Sequence, residues 1–242
     1  DDYYQIDDAI RTGYAWSYGP FEIWDNLGIE TGIEMIKSCG EEVPNWITDM
    51  SASGAESFYK FEDGKKKFYD VNSKKYINVP SSENHYILDA FRENKQILKN
   101  PECTVHDIGD GVMCIEFQTK GNSIGEGIAK GINEAIDIAE KDGWNGIVIG
   151  NNDKQFSVGA NLMNMGMMAM QKNFDEIEKF LVGFQKILMR MRTCNIPVVS
   201  ATHGFVMGGG LEVSIHCDAG IHASESYIGL VEAGVGLIPG GG

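Results

Sequence analysis

Two glutamates near the end of the sequence, Glu212 and Glu232, stand in apolar runs where a carboxylate could transfer protons. If buried, both would have raised pKa values, which suits general acid and base catalysis near neutral pH. Glu212 follows a triple glycine, 208–210, that leads from an apolar strand into a helix-compatible run. Glycines allow a ligand to approach the backbone closely, and the first N–H groups of a helix can bind an oxyanion. The pattern predicts an oxyanion site with two acid/base carboxylates. The same sequence is also compatible with a structural alternative: a glycine-rich turn, a buried helix and two surface glutamates.

A second glycine turn has the same context, since each of the two turns follows a strand and enters a helix. The turns are Phe156–Ala160 and Phe205–Gly210. One backbone N–H from each would make a two-donor oxyanion hole, and loss of one such donor typically costs about 3–4 kcal/mol of barrier. With two glutamates beside it, this hole predicts chemistry that forms or quenches a thioester enolate.

Composition bounds the class of protein. The chain has 242 residues, 43% of them hydrophobic, which is enough for a folded core in one or two domains. Its net charge of −15 argues against non-specific nucleic-acid or anionic-membrane binding, because both need a basic surface. Five cysteines without a C-x-x-C pair indicate free thiols in a reducing compartment.

Other common signals do not occur in the sequence. There is no signal peptide, no apolar run long enough to span a membrane, and no spacing typical of a metal site. No G-x-S-x-G nucleophile motif occurs. The sequence begins without methionine and stops within a Gly-Gly-Gly run, so we expect a piece of a longer protein.

The elements that would position the glutamates follow a change of pattern along the chain. Short helices are predicted within 1–53, and a hairpin around an Asp-Gly turn within 57–80. A linker begins at Pro80, and an amphipathic helix is predicted over 87–98. From residue 103, strands alternate with helices, which predicts repeated β-β-α units of an α/β fold. We therefore expect three parts: 1–56, 57–100 and 101–242.

Residues 7–28 carry a more specific signal, DDAIRTGYAWSYGPFEIWDNLG. The segment resembles the C-terminal helical domain of 3-hydroxyacyl-CoA dehydrogenases, mainly through GPFE-[IL]-WD. This resemblance implies an all-α dehydrogenase-type domain at 1–56, of a kind that often forms dimers. In that family the NAD-binding Rossmann domain lies upstream, and no G-x-G-x-x-G follows a strand here. NAD is therefore expected only for a dehydrogenase domain outside this chain.

Three segments carry a second resemblance. They are FSVGANL at 156–162, HGFVMGGGLEVSIHCD at 203–218, and the run from Ile228-Gly229 to the IPGGG of residues 238–242. Together they resemble the crotonase (enoyl-CoA hydratase/isomerase) family over residues 103–242. The resemblance implies a truncated crotonase fold, since that family continues for about another hundred residues.

The crotonase resemblance implies a role for each matching residue. The oxyanion donors would be the N–H groups of Ala160 and Gly209, and the catalytic carboxylates Glu212 and Glu232. Glu212 would activate water for attack at the β carbon of a trans-2-enoyl-CoA, and Glu232 would protonate the α carbon, although the two roles could be shared. Hydration would need no cofactor, since the coenzyme A thioester is the substrate. The implied substrate-binding residues are Ser157, Val158, Gly159, Asn161, Leu162 and Gly208.

Some residues depart from the crotonase pattern or have open roles. Asn161 stands where the crotonases often have Asp, and we expect it to cap or orient the turn. The methionines of 163–170 would line an acyl pocket or fill the core. His203, His216 and Asp218 are expected to have structural roles.

Together the two resemblances predict a fragment of a fused dehydrogenase/hydratase of fatty-acid β-oxidation, in the cytoplasm of a prokaryote. Its partner would be acyl-CoA, without nucleic acid or membrane. A homo-oligomer is expected, either a crotonase-type trimer or a dehydrogenase-type dimer. An enoyl-CoA isomerase of the same family and a catalytically silent docking or dimerisation fragment stand as alternatives.

Overall fold

The structure is a computed structural model that describes residues 2–62, 64–80, 86–91 and 95–242. It divides into two compact units, residues 1–90 and 91–242. Helices, a small antiparallel sheet and a larger mixed sheet are present, so the predicted mixed α/β composition is confirmed.

Four helices and a three-stranded antiparallel sheet build the first unit. Its centre is aromatic: Phe58 is fully buried, and the ring of Tyr3 packs edge-on against it at 5.4 Å. The Tyr3 hydroxyl also donates to the Phe58 carbonyl at 2.6 Å. The elements are α1 (Tyr3–Tyr14), α2 (Pro20–Leu27), α3 (Ile29–Ser38), α4 (Asn45–Ala52), β1 (Tyr59–Glu62), β2 (Lys65–Asp70) and β3 (Lys75–Asn78).

Helix α1 begins at Tyr3 and contains both Asp7 and Asp8. Asp7 is fully buried, and its carboxylate accepts the N–H groups of Phe21 at 2.9 Å and Glu22 at 3.2 Å. A side chain of α1 therefore satisfies the first N–H groups of α2, which have no partner inside their own helix.

The two acidic residues of the GPFE-[IL]-WD motif, Glu22 and Asp25, also have hydrogen-bond partners within this unit. Glu22 accepts the Gly19 N–H at 2.7 Å and so closes the start of α2. Asp25 accepts the N–H groups of Phe58 at 2.6 Å and Tyr59 at 2.8 Å. Burial raises the pKa of Asp25 to about 6 despite these two donors. The motif thus has a direct folding role, whatever else it does.

Asp7→Ala should lower the free energy of unfolding of the protein by about 1–3 kcal/mol, since buried donors lose their acceptor. The Tyr59 hydroxyl, which donates to Asp7 at 2.7 Å, loses its acceptor as well. Asp8→Ala is the matched control: Asp8 is exposed and pairs with Arg11 one turn away, so we expect a loss below about 0.5 kcal/mol. Urea unfolding measures both, and equal losses would contradict the capping role.

A six-stranded mixed sheet forms the frame of the second unit, with strand order β10-β8-β7-β6-β5-β4. Strands β4 to β6 pair antiparallel, whereas β6, β7, β8 and β10 run parallel. The strands are β4 (Gln96–Lys99), β5 (Cys103–Asp107), β6 (Val112–Phe117), β7 (Gly146–Ile149), β8 (Val198–Thr202) and β10 (Ala219–His222).

The helices of this unit cover the sheet. Helix α5 buries a stripe that includes Ile128, Ile132 and Ile136, and it packs in one core with Leu188 of α7. The isoleucines recur every four residues, as expected for the apolar face of an amphipathic helix. The helices are α5 (Glu126–Asp142), α6 (Leu162–Met170), α7 (Phe174–Thr193) and α8 (Gly209–Ile215).

The predicted helix over 87–98 is wrong at residues 96–98, because Gln96–Lys99 form β4. Leu98 pairs with Val105 of β5, and both Ile97 and Leu98 pack against the core. Pairing along the sheet edge outweighs the local helical pattern. Residues 88–91 form a short 3₁₀ helix. Residues 92–94 of the predicted helix lie outside the described residues, as do residues 63, 81 and 82 of the predicted turn and linker.

Candidate active site

The triple glycine carries the chain from β9 (Phe205–Met207) into helix α8. Gly208 has φ +49° and ψ −123°, a conformation that side chains rarely adopt. A Cβ at this position would lie 2.6 Å from a Glu232 carboxylate oxygen. Glycine is therefore required here both for the turn and for the close approach of the carboxylate.

Glu212 lies on the first turn of α8 and is buried. One of its carboxylate oxygens accepts the Gly241 N–H at 2.6 Å. Burial raises the pKa of Glu212, the Gly241 N–H opposes that rise, and the charge of Glu232 adds to it. The raised pKa fits a group that exchanges protons, and the effect of Glu232 shows that the two carboxylates are close enough to interact.

Glu232 belongs to a short 3₁₀ helix, Val231–Val235, that follows strand β11 (Tyr227–Gly229). Strand β11 pairs in parallel with β9, and the Gly208 N–H donates to the Gly229 carbonyl at 2.8 Å. This pairing brings Glu232 against the triple glycine. The second oxygen of its carboxylate is buried and accepts no hydrogen bond within the described part of the chain. A buried oxygen of this kind is costly unless a ligand or water occupies it.

The other glycine turn is attached to β9 from the opposite side. The Ser157 N–H donates to the Phe205 carbonyl and the Met207 N–H to the Ser157 carbonyl, both at 3.0 Å. The Ser157 hydroxyl is fully buried, donating to Asn122 at 2.7 Å and accepting the Gly159 N–H at 3.1 Å. The two turns that the sequence singled out are thus joined edge to edge. The Ser157 hydroxyl thus has two internal partners, the Asn122 carbonyl and the Gly159 N–H of its own turn.

Two backbone N–H groups meet where the turns touch. A Cβ built on Gly209 would lie 3.4 Å from the Ala160 nitrogen, and one built on Gly159 would lie 3.2 Å from the Gly209 nitrogen. Neither the Ala160 N–H nor the Gly209 N–H donates to an acceptor among the residues that the structure describes. Two adjacent free donors can bind one oxyanion.

The remaining substrate-binding candidates belong to the first glycine turn and to the start of α6. Val158 and Leu162 are exposed, and the Val158 N–H donates to the Gly121 carbonyl. Asn161 caps α6 by accepting the Asn164 N–H at 3.3 Å, as predicted.

The methionines of α6 are not core residues, since none of this helix is buried. Met165 and Met168 line a cavity of about 250 Å³ together with Asn161, Asn164 and Phe180. Met163, Met167 and Met170 are exposed. The alternative of core filling is therefore wrong.

The three polar residues for which structural roles are expected all have internal partners. The Nδ1 atom of His216 lies 2.7 Å from the Glu212 carbonyl, and the Nε2 atom of His203 lies 2.6 Å from a backbone carbonyl. A carboxylate oxygen of Asp218 accepts the Val198 N–H at 2.8 Å. Their structural roles agree with the prediction. Within the described ranges, no cluster of metal-ligating side chains and no helix able to span a membrane is found.

Sequence reasoning missed two contributors to the site. The Gly241 N–H was not assigned to Glu212, although the IPGGG segment was recognised. Asn122 was not singled out, yet it is buried, takes φ +53° and accepts the Ser157 hydroxyl. A non-glycine residue with positive φ leaves little trace in one sequence.

The family described as enoyl-CoA hydratase/isomerase matches residues 107–242. Over its whole length the chain is 39% identical to a Bacillus subtilis protein named "Probable 3-hydroxyacyl-CoA dehydrogenase". It is 29% identical to a Rickettsia felis protein named as a candidate "fatty acid oxidation complex trifunctional enzyme". The chain spans about 30% of the length of each of these two relatives.

A solved structure supports the fold of the second unit. The crystal structure of an enoyl-CoA hydratase from Thermoplasma volcanium matches with a TM-score of 0.52 and 25% identity. The match covers 58% of this chain and 56% of that chain. With more than half of its residues matched by the family, the chain belongs to the enoyl-CoA hydratase/isomerase family.

Proposed function

We propose that this chain contains the active site that catalyses the hydration of trans-2-enoyl-CoA to 3-hydroxyacyl-CoA. The observation that supports it best is the pair of free N–H groups of Ala160 and Gly209, with Glu212 and Glu232 beside the same turn. A thioester carbonyl that accepts both N–H groups would become more electrophilic at its conjugated β carbon. The negative charge that develops on the oxygen would be stabilised by the same two donors.

The two glutamates have different proton-transfer roles in this proposal. Glu212 takes a proton from a water molecule, whose oxygen bonds to the β carbon. Glu232 gives a proton to the α carbon, which quenches the enolate and restores the thioester carbonyl. The proton on Glu212 then replaces the one lost from Glu232 by exchange with solvent, which restores both groups. Water adds across one double bond, and the product carries a hydroxyl at the β carbon and a hydrogen at the α carbon.

Hydration is favoured over double-bond isomerisation because two carboxylates are present. Moving a double bond needs a single group that removes a proton at one carbon and returns it at another. In this chain Glu232 alone would be enough for that reaction. Glu212 has a raised pKa and a fixed orientation, and a second proton-transferring group of this kind is what water addition requires.

The first unit is proposed to belong to the dehydrogenase part of a longer protein. The similarity to the Bacillus subtilis relative extends over the whole chain, first unit included. Oxidation of the 3-hydroxyacyl-CoA product by NAD would then follow hydration, with NAD bound outside this chain. The cytoplasmic location and the oligomer remain predictions.

The test is loss of the conjugated enoyl-thioester absorbance of crotonyl-CoA, followed in the whole protein that carries this chain. We expect turnover, with 3-hydroxybutyryl-CoA as the product identified by mass spectrometry. Conversion of a 3-enoyl-CoA without any hydration would instead support the isomerase. If neither substrate reacts although both bind, the proposal is wrong and a docking role is favoured.

A further inference from the structure

Gly240 and Gly241 share a peptide unit that lies between helix α7 and the Glu212 carboxylate. The N–H of Gly241 donates to Glu212 at 2.6 Å, and the carbonyl of Gly240 accepts the side-chain amide of Gln185 at 2.7 Å. The C=O and N–H groups of one trans peptide lie in a rigid plane and point in opposite directions. The hydrogen bond from Gln185 on one side therefore sets the direction of the N–H on the other.

The packing around this peptide also points to α7. A Cβ on Gly240 would lie 2.9 Å from Leu181, and one on Gly241 would lie 2.7 Å from Leu188. Residues 181, 185 and 188 are spaced four and three apart, so they share one face of the helix. The glycine segment lies on this face, with Gln185 between two leucines as the polar contact that can fix its rotation.

The orientation of this peptide affects how easily Glu212 ionises. Its carboxylate is buried, and the groups that act on its charge are the N–H of Gly241, the carboxylate of Glu232 and the side chain of His216, with a smaller effect from the N–H of Gly242. Of these, the Gly241 N–H makes a direct hydrogen bond to the carboxylate. A small rotation of the peptide would weaken this bond, because hydrogen bonds lose strength steeply when they bend.

We propose that Gln185 is a positioning residue for Glu212, since its side-chain amide holds the Gly240–Gly241 peptide so that the Gly241 N–H faces the carboxylate. The catalytic consequence rests on the hydratase function proposed above. The hydrogen-bond geometry and the titration of Glu212 do not depend on it.

The test replaces Gln185 with methionine, which has a similar length but no N–H donor. Gln185 is exposed, so the fold should survive. Gln171→Met makes the same change at an exposed glutamine at the end of α6 and serves as the control. Carboxyl ¹³C resonances of labelled glutamate, assigned with Glu212→Gln, report the Glu212 titration, and the Gly241 amide proton reports the hydrogen bond.

In Gln185→Met we expect the Gly241 amide proton to move upfield and the pKa of Glu212 to rise further. The acid limb of the hydration rate should move to higher pH in the same direction, with KM unchanged. Gln171→Met should leave all of these values at wild type. A wild-type titration of Glu212 and an unmoved Gly241 resonance in folded Gln185→Met would overturn the positioning role.

The two proposals fail separately in this experiment. If the resonances shift but the wild-type protein does not hydrate enoyl-CoA, the role of Gln185 stands and the hydratase function is wrong. If hydration is normal and the resonances do not shift, the hydratase function stands and Gln185 has no positioning role.

Discussion

Glu212→Gln and Glu232→Gln should each lower kcat for crotonyl-CoA hydration by about 10²–10⁴-fold, the range that general acid–base groups contribute. Glutamine keeps the size of the side chain but cannot exchange a proton. The free N–H groups of Ala160 and Gly209 are untouched, so KM should change little. The decrease would therefore appear in kcat.

Glu225→Gln is the matched control for these variants. Glu225 is exposed and lies between β10 and β11, so kcat should stay at the wild-type value. Glu212→Gln and Glu232→Gln also distinguish a hydratase from an isomerase. An isomerase would lose activity in Glu232→Gln and keep it in Glu212→Gln, and that outcome would contradict the hydratase proposal.

Gly159→Ala should have the second large effect, a decrease in kcat of about 10²–10³-fold, as for loss of an oxyanion-hole donor. Gly159 has φ +94°, and a Cβ would lie 2.8 Å from the Met207 carbonyl. The methyl group would push the two turns apart and separate the Ala160 and Gly209 nitrogens. The strained backbone should also cost about 1–3 kcal/mol of stability.

Gly183→Ala tests whether a general effect of glycine replacement explains the result. Gly183 lies in α7, and a Cβ there meets no atom within 4 Å. Alanine should stabilise the helix by about 0.5–1 kcal/mol and leave kcat unchanged. Kinetics and thermal unfolding are compared for both variants. A folded Gly159→Ala protein with wild-type kcat would contradict the oxyanion role of this turn.

Several features could be predicted from the sequence because they depend on neighbours along the chain. Helix α5 carries its own stripe of isoleucines, and α2 begins at Pro20, the position in a helix that proline favours. Hydrophobic residues recur with a helical or a strand period through most of the second unit. The strand at Gln96–Lys99 was missed because its partner is β5, and a polar amphipathic run gives no sign of sheet pairing.

The motif of residues 7–28 also combines local features with contacts between residues far apart in the chain. The sequence marked its acidic residues, but their use could not be predicted from spacing. Asp7 caps a helix that begins thirteen residues later, and Asp25 holds backbone more than thirty residues away. These contacts need the folded unit.

For the active site, the sequence determined which groups are available: two glutamates, two glycine turns and the order of strands and helices around them. Local conformational rules and side-chain chemistry are written in consecutive residues, so one sequence is enough to find them. Only the tertiary structure decided that β9 joins the two turns, that β11 carries Glu232 to Gly208, and that the Gly240–Gly241 peptide lies between Gln185 and Glu212. Those contacts join residues far apart in the chain, and they form because strand pairing and burial of apolar surface fix distances that no spacing along the sequence specifies.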